Sequence, residues 1–374
     1  MTAPFGSRPR AGPEILGDGR VNVGVFGRPA SWTGHARSLP ERNHRLAPGH
    51  RPRTQTQTIG ALRQNRPSEN PSPFPPGCGL VPRMEDLIRA VHPNAEIREV
   101  LTRTGGESAS VVEVVCANPD VRLIVKTYEQ GWKVAKEHHV YTLLPDDVPA
   151  PRLLHASREP AAVVMTSVPG TPLSEVSTTL PADDLRSLYT QMGHILASLH
   201  RRHMDVFGYI VDGVYNPVAT NTEYMTSHYT RHLKTFREHG GDPALATRIE
   251  NHVASHPDLW QTCKTPVLCH NDFHEGNVLV EQNSEGWHIT AIIDMENAVA
   301  ADPFLDLAKT DYYAPSHSRP HLEALWAAYG TPPTPNAFPL YRLHHALELW
   351  AWYATINKTD SLTNIANDLA EMLA

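Results

Sequence analysis

Short apolar runs rich in β-branched residues, set between polar or glycine-bearing turns, dominate residues 97–165. Residues 97–101, 111–115, 123–126 and 161–165 read as strands, because Val and Ile suit the half-buried surface of a sheet. Between the last two, residues 134–144 read as a helix with Val140, Leu143 and Leu144 on its core face. Further along, the period lengthens to that of amphipathic helices. Residues 185–203 place Leu185, Leu188, Met192, Ile195, Leu196 and Leu199 on one face. Residues 224–239 do the same with Tyr224, His228, His232 and Phe236, and residues 340–356 with Leu343, Leu347, Trp350, Tyr353 and Ala354. One more pair of strand-like runs, 278–280 and 289–293, flanks a polar stretch containing Asn283 and Gly286, which predicts a hairpin.

The chemistry concentrates at that hairpin. His270-Asn271-Asp272-Phe273-His274-Glu275-Gly276-Asn277 reads H-x-D-x-x-x-x-N, and Ile292-Ile293-Asp294 closes the second strand. Phosphoryl transfer needs a carboxylate beside the accepting hydroxyl and hard oxygen ligands for Mg2+ at the nucleotide phosphates. The hairpin brings Asp294 back beside Asn277, so these two are the candidate metal ligands. Asp272 is the candidate catalytic base, and His270 braces the loop. His274 stands where a cation could face the transferred phosphate.

Upstream lies the other half of a nucleotide site. Residues 103–108 (Arg-Thr-Gly-Gly-Glu-Ser) form a small-residue turn whose Gly105, Gly106 and Ser108 would let backbone N–H groups approach phosphates. Lys126 ends an apolar strand, where a lysine is costly unless it is paired or faces a cleft. Glu137, eleven residues later on the helix, is its candidate partner. Residues 161–173 pass from an apolar strand into a segment with two prolines and a glycine, which reads as a linker. Met165, Thr166 and Val168 would there offer backbone groups to an adenine.

Taken in order, the turn, Lys126, Glu137, the linker, Leu199-His200, the 270–277 loop and Asp294 resemble the aminoglycoside phosphotransferase and choline kinase superfamily. The resemblance covers roughly residues 84–370. It implies an α+β, two-lobed, protein-kinase-like fold, with a small antiparallel-sheet lobe carrying one main helix (84–168) and a larger, mostly helical lobe (169–374). Asp294-Met295-Glu296-Asn297-Ala298, Asp302-Pro303 and Asp306-Leu307-Ala308 are most similar to the antibiotic kinase branch. Met295 and Ala301 replace a usual aromatic and a usual glycine there. Cys269-His270-Asn271-Asp272 is instead similar to choline kinases, since glycine is commoner at position 271. The implied cofactors are ATP, with GTP left open, and Mg2+. The acceptor in such enzymes lies between the C-terminal helices and the catalytic loop, which makes Asp311, Tyr312, Glu348 and Trp352 candidate substrate contacts. Trp350, Trp352 and Tyr353 read more readily as core packing than as substrate contacts.

Composition adds two things. Residues 1–83 hold twelve Arg, no Lys, four acidic residues, thirteen Pro and eleven Gly. Such a segment cannot bury enough apolar surface to offset its ordering entropy. It is expected to be disordered, or an upstream extension with Met84 as the working start. Its charge is 12 − 4 = +8, and the whole chain carries −7, so residues 84–374 carry −15. That acidity suits a cationic small molecule and disfavours nucleic acid. Second, no apolar run is long enough to span a membrane, and the four cysteines have neither disulfide nor metal spacing. A cytoplasmic enzyme, monomeric or homodimeric, is expected. None of the 22 histidines belongs to a convincing ligand pattern along the chain. The leading expectation is a kinase that phosphorylates a hydroxyl of an aminoglycoside or other antibiotic and so confers resistance. The alternatives are a metabolic kinase for choline, an amino alcohol or a sugar, and a non-catalytic kinase-like binding protein.

Overall fold

The computed structural model describes residues 80–103, 109–330 and 336–374, with side chains from Met84 onward. The expected tail up to residue 79 and most of the turn at 103–108, including Gly105, Gly106 and Ser108, therefore lie outside the described residues. The first helix, α1 (Leu80–Val91), begins four residues before Met84.

The smaller lobe is an antiparallel sheet of β1 (Glu96–Arg103), β2 (Ser110–Ala117), β3 (Val121–Thr127), β4 (Leu153–Arg158) and β5 (Ala161–Thr166), in the order β1-β2-β3-β5-β4. Helix α2 (Gly131–Leu143) joins β3 to β4 and packs on β4 and β5. The inward positions of the strands are apolar and mostly β-branched: Val112, Val114, Leu123, Val125 and Val164 form one core with Leu87 and Ile88 of α1.

The chain then crosses into the larger lobe through β6 (Thr171–Pro172) and the short α3 (Leu173–Val176). There follow α4 (Ala182–Leu199), β7 (Phe207–Ile210), β8 (Val214–Val218), α5 (Asn221–Glu238), α6 (Pro243–Ala254) and β9 (Val267–Cys269). The hairpin of β10 (Val278–Asn283) and β11 (Gly286–Ile292) leads to β12 (Val299–Ala301) and to α7 (Phe304–Tyr313), α8 (Leu322–Tyr329), α9 (Phe338–Thr355) and α10 (Leu362–Glu371). The hairpin adds β6 as a third strand, and β12 lies between β7 and β9.

Local chemistry explains the boundaries that periodicity placed a few residues off. α5 starts three residues before Tyr224 because Thr220 and Glu223 form a capping box, each side chain bonding the other's backbone N–H. α4 ends at Leu199, short of the expected His203, and His200 turns its ring into the core. Helices α4 and α8 touch closely at Gly193, where a Cβ would fall 2.3 Å from the Leu325 carbonyl oxygen. Among the described residues no helix is long and apolar enough to cross a membrane.

Candidate active site

Strand β3 delivers Lys126 to the interior, where its side chain keeps 10% of its exposure. Its Nζ lies 3.1 and 3.2 Å from the two Glu137 carboxylate oxygens and 3.2 Å from Asp294 Oδ1. One ammonium thus joins β3, α2 and the end of the β10–β11 hairpin. Burial works against that charge, but the carboxylates of Glu137, Asp294 and Glu296 outweigh it and hold Lys126 well above the usual lysine range. Burial also pushes the Glu137 carboxyl up to about 7, with Lys126 pulling the other way. The Tyr128 hydroxyl donates to the same carboxylate.

One residue before Glu137, Lys136 is 1% exposed. It donates to the Ala298 carbonyl at 3.0 Å and lies 3.5 Å from the centre of the Tyr209 ring. Burial lowers its pKa well below the usual lysine value. In the linker, Thr166 is committed to β4 and its flank: its N–H donates to the Arg152 carbonyl and its hydroxyl accepts from the Arg152 N–H, each at 2.9 Å. Met165 is buried within β5 and pairs with Leu153 and Ile124. Val168 lies beyond the end of β5, after Thr166.

The 270–277 loop follows β9 and is held by one face of α7. Asp306, fully buried, accepts from the backbone N–H groups of His270 (2.7 Å) and Asn271 (2.6 Å). Lys309, one turn on, donates to the Asn271 carbonyl at 2.7 Å, and the Thr310 hydroxyl to the Phe273 carbonyl at 2.8 Å. Positions 306, 309 and 310 are neighbours on a helix face, so α7 serves as a template for the loop. His200 completes the anchor, with Nε2 3.0 Å from Asp306 and Nδ1 2.9 Å from the Tyr329 hydroxyl. Asn271 adopts φ 57°, the left-handed region that glycine and asparagine enter most readily. Its departure from the usual glycine is thus a backbone substitution of like for like.

Asp272 is 1% exposed. Burial opposes its ionisation, but the Lys309 ammonium at 3.6 Å, and then His274, hold its carboxyl below the usual value. Asn277 Nδ2 donates to the Asp272 carbonyl (2.8 Å) and carboxylate (3.2 Å), which turns its Oδ1 the other way. The hairpin pairs Val278 with Ile292, and the Ile293 N–H donates to the Asn277 carbonyl at 3.0 Å, so Asp294 emerges beside Asn277. Asp294 itself takes a left-handed backbone, φ 67°. An amide oxygen and a carboxylate are donors of the hard kind that suits Mg2+. His270 spans the same join, its Nε2 3.0 Å from the Ile293 carbonyl.

His274 Nδ1 accepts from the Gly276 N–H at 3.0 Å, and its Nε2 lies 3.7 Å from Asp272 Oδ1 and 3.5 Å from Asn277 Nδ2.

Of the four acceptor-side candidates, Glu348 alone is tied to this loop: its Oε2 is 3.6 Å from Lys309 Nζ. Asp311, two residues past Lys309, faces elsewhere on α7 and meets Arg319 (3.2 Å) and Arg342 (2.8 Å). The Tyr312 hydroxyl donates to Asp368, and Trp352 is 8% exposed against Tyr353. Three groups central to the geometry had no role assigned from sequence: Lys309, Asp306 and His200. The last two stood in quoted motifs. Lys309 carried no such signal, since it stands among Asp306, Thr310 and Asp311 like an ordinary helix lysine.

A buried lysine bridged to two carboxylates, a third carboxylate held ionised on a braced loop, and a two-lobed fold define a kinase-like phosphotransferase with an alcohol acceptor. The sequence model of the APH family, a phosphotransferase enzyme family, matches residues 99–344, and the chain belongs to that family. No curated protein matches it by sequence. Among solved structures, aminoglycoside phosphotransferase APH(4)-Ia superposes with TM-score 0.62 at 15% identity, over 78% of this chain and 98% of that one. A thermostable mutant of that enzyme, in ternary complex with ADP and hygromycin B, gives 0.59 at 15%, over 77% and 97%. APH(2")-IIIa with GDP and kanamycin gives 0.58 at 18%, over 78% and 98%.

Proposed function

We propose that this protein transfers the γ-phosphoryl group of ATP to a hydroxyl of an antibiotic, and that the modification confers resistance. The observation carrying the reading is the meeting of Lys126 with Glu137 and Asp294 within 3.2 Å, on the side of the hairpin where Asn277 also sits. Lys126 would bind the nucleotide phosphates, and backbone groups near Val168 the base. Asn277 Oδ1 and Asp294 would hold Mg2+, which when bound neutralises phosphate charge. Asp272 would orient the acceptor hydroxyl and take its proton as the oxygen bonds to the γ-phosphorus. The bond from that phosphorus to the β–γ bridging oxygen breaks, and ADP leaves with the electron pair. His274, with Nε2 3.7 Å from Asp272 Oδ1, would flank that carboxylate. Positioning and charge neutralisation supply most of the rate in such a reaction.

The −15 charge of residues 84–374 supports a cationic acceptor, and the neighbours' complexes with hygromycin B and kanamycin support the aminoglycoside class. The GDP complex of one neighbour keeps GTP in view as a donor. The choline-kinase-like Asn271 carries little weight for the acceptor, because its left-handed backbone accounts for it.

The test is an ADP-release screen of the full chain against aminoglycosides, other hydroxylated antibiotics, choline, amino alcohols and sugars, with products identified by mass spectrometry. Phosphorylation of an antibiotic, and a raised inhibitory concentration in cells expressing the protein, supports the proposal. Turnover of choline, an amino alcohol or a sugar, with no antibiotic accepted, replaces it with the metabolic kinase. Nucleotide binding without turnover of any acceptor would leave a kinase-like binding protein.

A further inference from the structure

On the side of Glu348 away from Lys309, four ligand-type side chains converge from two packed helices. α5 carries His228 and His232, four residues apart, and α9 carries His344 and Glu348 at the same spacing. Residues four apart lie on one helix face, and α5 packs against α9, so the two pairs meet. One ring nitrogen from each of His228, His232 and His344 lies within 4.8 Å of the others, and His344 and Glu348 share a second such grouping with His345. His232 Nε2 is 4.0 Å from Glu348 Oε1.

We propose that His228, His232, His344 and Glu348 form a site for a divalent transition metal ion that takes imidazole and carboxylate ligands, Zn2+ foremost. An independent observation points to a ligand: His344 is 1% exposed, and neither of its ring nitrogens has a hydrogen-bond partner. Buried polar atoms are nearly always bonded, and a metal ion would satisfy one of these two. Charge states agree. Burial first, then neighbouring cations, holds His228 and His232 below the usual histidine value, the latter at about 3. Burial does the same to His344. Metal ligation needs this neutral form. Glu348 supplies the negative charge: burial opposes it, but Lys309 and His345 hold its carboxyl well below the usual range.

The carboxylate is supported as metal-bound carboxylates are. While Oε1 faces His232, Oε2 is 3.3 Å from His345 Nδ1, and His345 Nε2 is 2.7 Å from the Leu305 carbonyl. Nitrogen donors distinguish this site from the all-oxygen pair Asn277 and Asp294. Ligand atoms around a tetrahedral Zn2+ stand about 3.3 Å apart, so binding requires rotations that draw the rings together. It also requires one displacement. Arg231 Nη2 now lies 3.2 Å from His228 Nδ1 and 3.3 Å from His232 Nε2, and this half-buried side chain must swing out. Arg231 thus competes with the metal, which makes the site testable in both directions.

The experiment is a ZnCl2 titration of the untagged full chain after chelator treatment, in competition with a chromophoric chelator, with CoCl2 absorption reporting the ligand geometry. One equivalent of Zn2+ is expected, with a tetrahedral Co2+ spectrum. His344→Gln and His232→Gln should each weaken Zn2+ by about tenfold or more, and Arg231→Gln should tighten it. Asp294→Asn, in the other metal pair, should leave Zn2+ affinity unchanged. His228→Gln, at the half-buried edge, carries the same test should the deeper variants not fold. Absence of a bound equivalent in both wild type and Arg231→Gln overturns the proposal. So does Zn2+ affinity unaltered by His228→Gln and His232→Gln. Neither outcome depends on phosphotransfer.

Discussion

Asp306→Asn isolates the contribution of α7 to the catalytic loop. The native carboxylate accepts from the N–H groups of His270 and Asn271 at 2.7 and 2.6 Å and pairs with His200 at 3.0 Å, with no solvent exposure. Asparagine keeps the size but brings one acceptor oxygen and one NH2. Whichever way the amide turns, its NH2 meets a donor. A buried hydrogen bond to a charged group contributes about 1.5–3 kcal/mol, and an orphaned buried donor costs about 1–3 kcal/mol. These overlap, so the loss should be about 3 kcal/mol, below the roughly 5 kcal/mol that bounds the removal of one partner from a buried ion pair. At about 2–4 °C per kcal/mol for a domain somewhat smaller than this one, Tm should fall by about 6–12 °C. Differential scanning fluorimetry measures this directly. Nucleotide affinity, followed by fluorescence of a labelled ATP analogue, should change little, because Lys126 and Glu137 lie on other elements. Turnover should fall far more, because Asn271 and Asp272 lose their register. A Tm within about 2 °C of wild type would refute the energetic argument. An unchanged Tm with lost turnover would mean that the loop, not the fold, feels the carboxylate.

Other outcomes follow from the same geometry. Asp272 ionises more readily than usual because of Lys309, so activity should be lost only as pH falls through a value below the ordinary aspartate range. In Lys309→Met the acid limb of kcat/KM should move upward. The 3.6 Å ion pair amounts to about 4.6 kcal/mol at an effective dielectric of ~20. Lys309 divides its charge between Asp272 and Glu348, so a rise of about 1–2 pH units is expected, and an unmoved limb refutes the coupling. Asp272→Ala should cut turnover by about 10²-fold or more while sparing ATP affinity, whereas Asp294→Ala should weaken Mg-ATP binding as read by calorimetry. Asn271→Gly should leave stability nearly unchanged, while Asn271→Val should cost about 1–2 kcal/mol in urea unfolding.

The order of elements was legible because each part of the fold carries its own local period. β-branched runs of five or so residues marked the sheet of the smaller lobe, and Lys126, Asp272, Asn277 and Asp294 stood out as polar groups punctuating apolar strands and their turns. What periodicity could not show were contacts between elements remote in sequence. Lys309 reads as an ordinary helix lysine until α7 is laid beneath residues 270–273, 38 residues earlier for its bond to Asn271. Asp311 and Tyr312 were placed at the acceptor by likeness alone, and nothing in the sequence shows that Asp311, two residues past Lys309, would pair with Arg319 and Arg342. The four ligand-type residues on α5 and α9 were invisible for the same reason: neither helix holds more than half the set.

Lys136 has a consequence for control. In kinases that switch, the helix bearing the glutamate partner of the strand lysine swings away and breaks that pair. Here the residue preceding Glu137 is buried against Tyr209 and bonded to the carbonyl of Ala298, both in the larger lobe. Swinging α2 outward would strip Lys136 of both partners. A switch of that kind would therefore have to break two buried contacts of Lys136 as well as the Lys126–Glu137 pair, so α2 is tied to the larger lobe by the residue next to that glutamate.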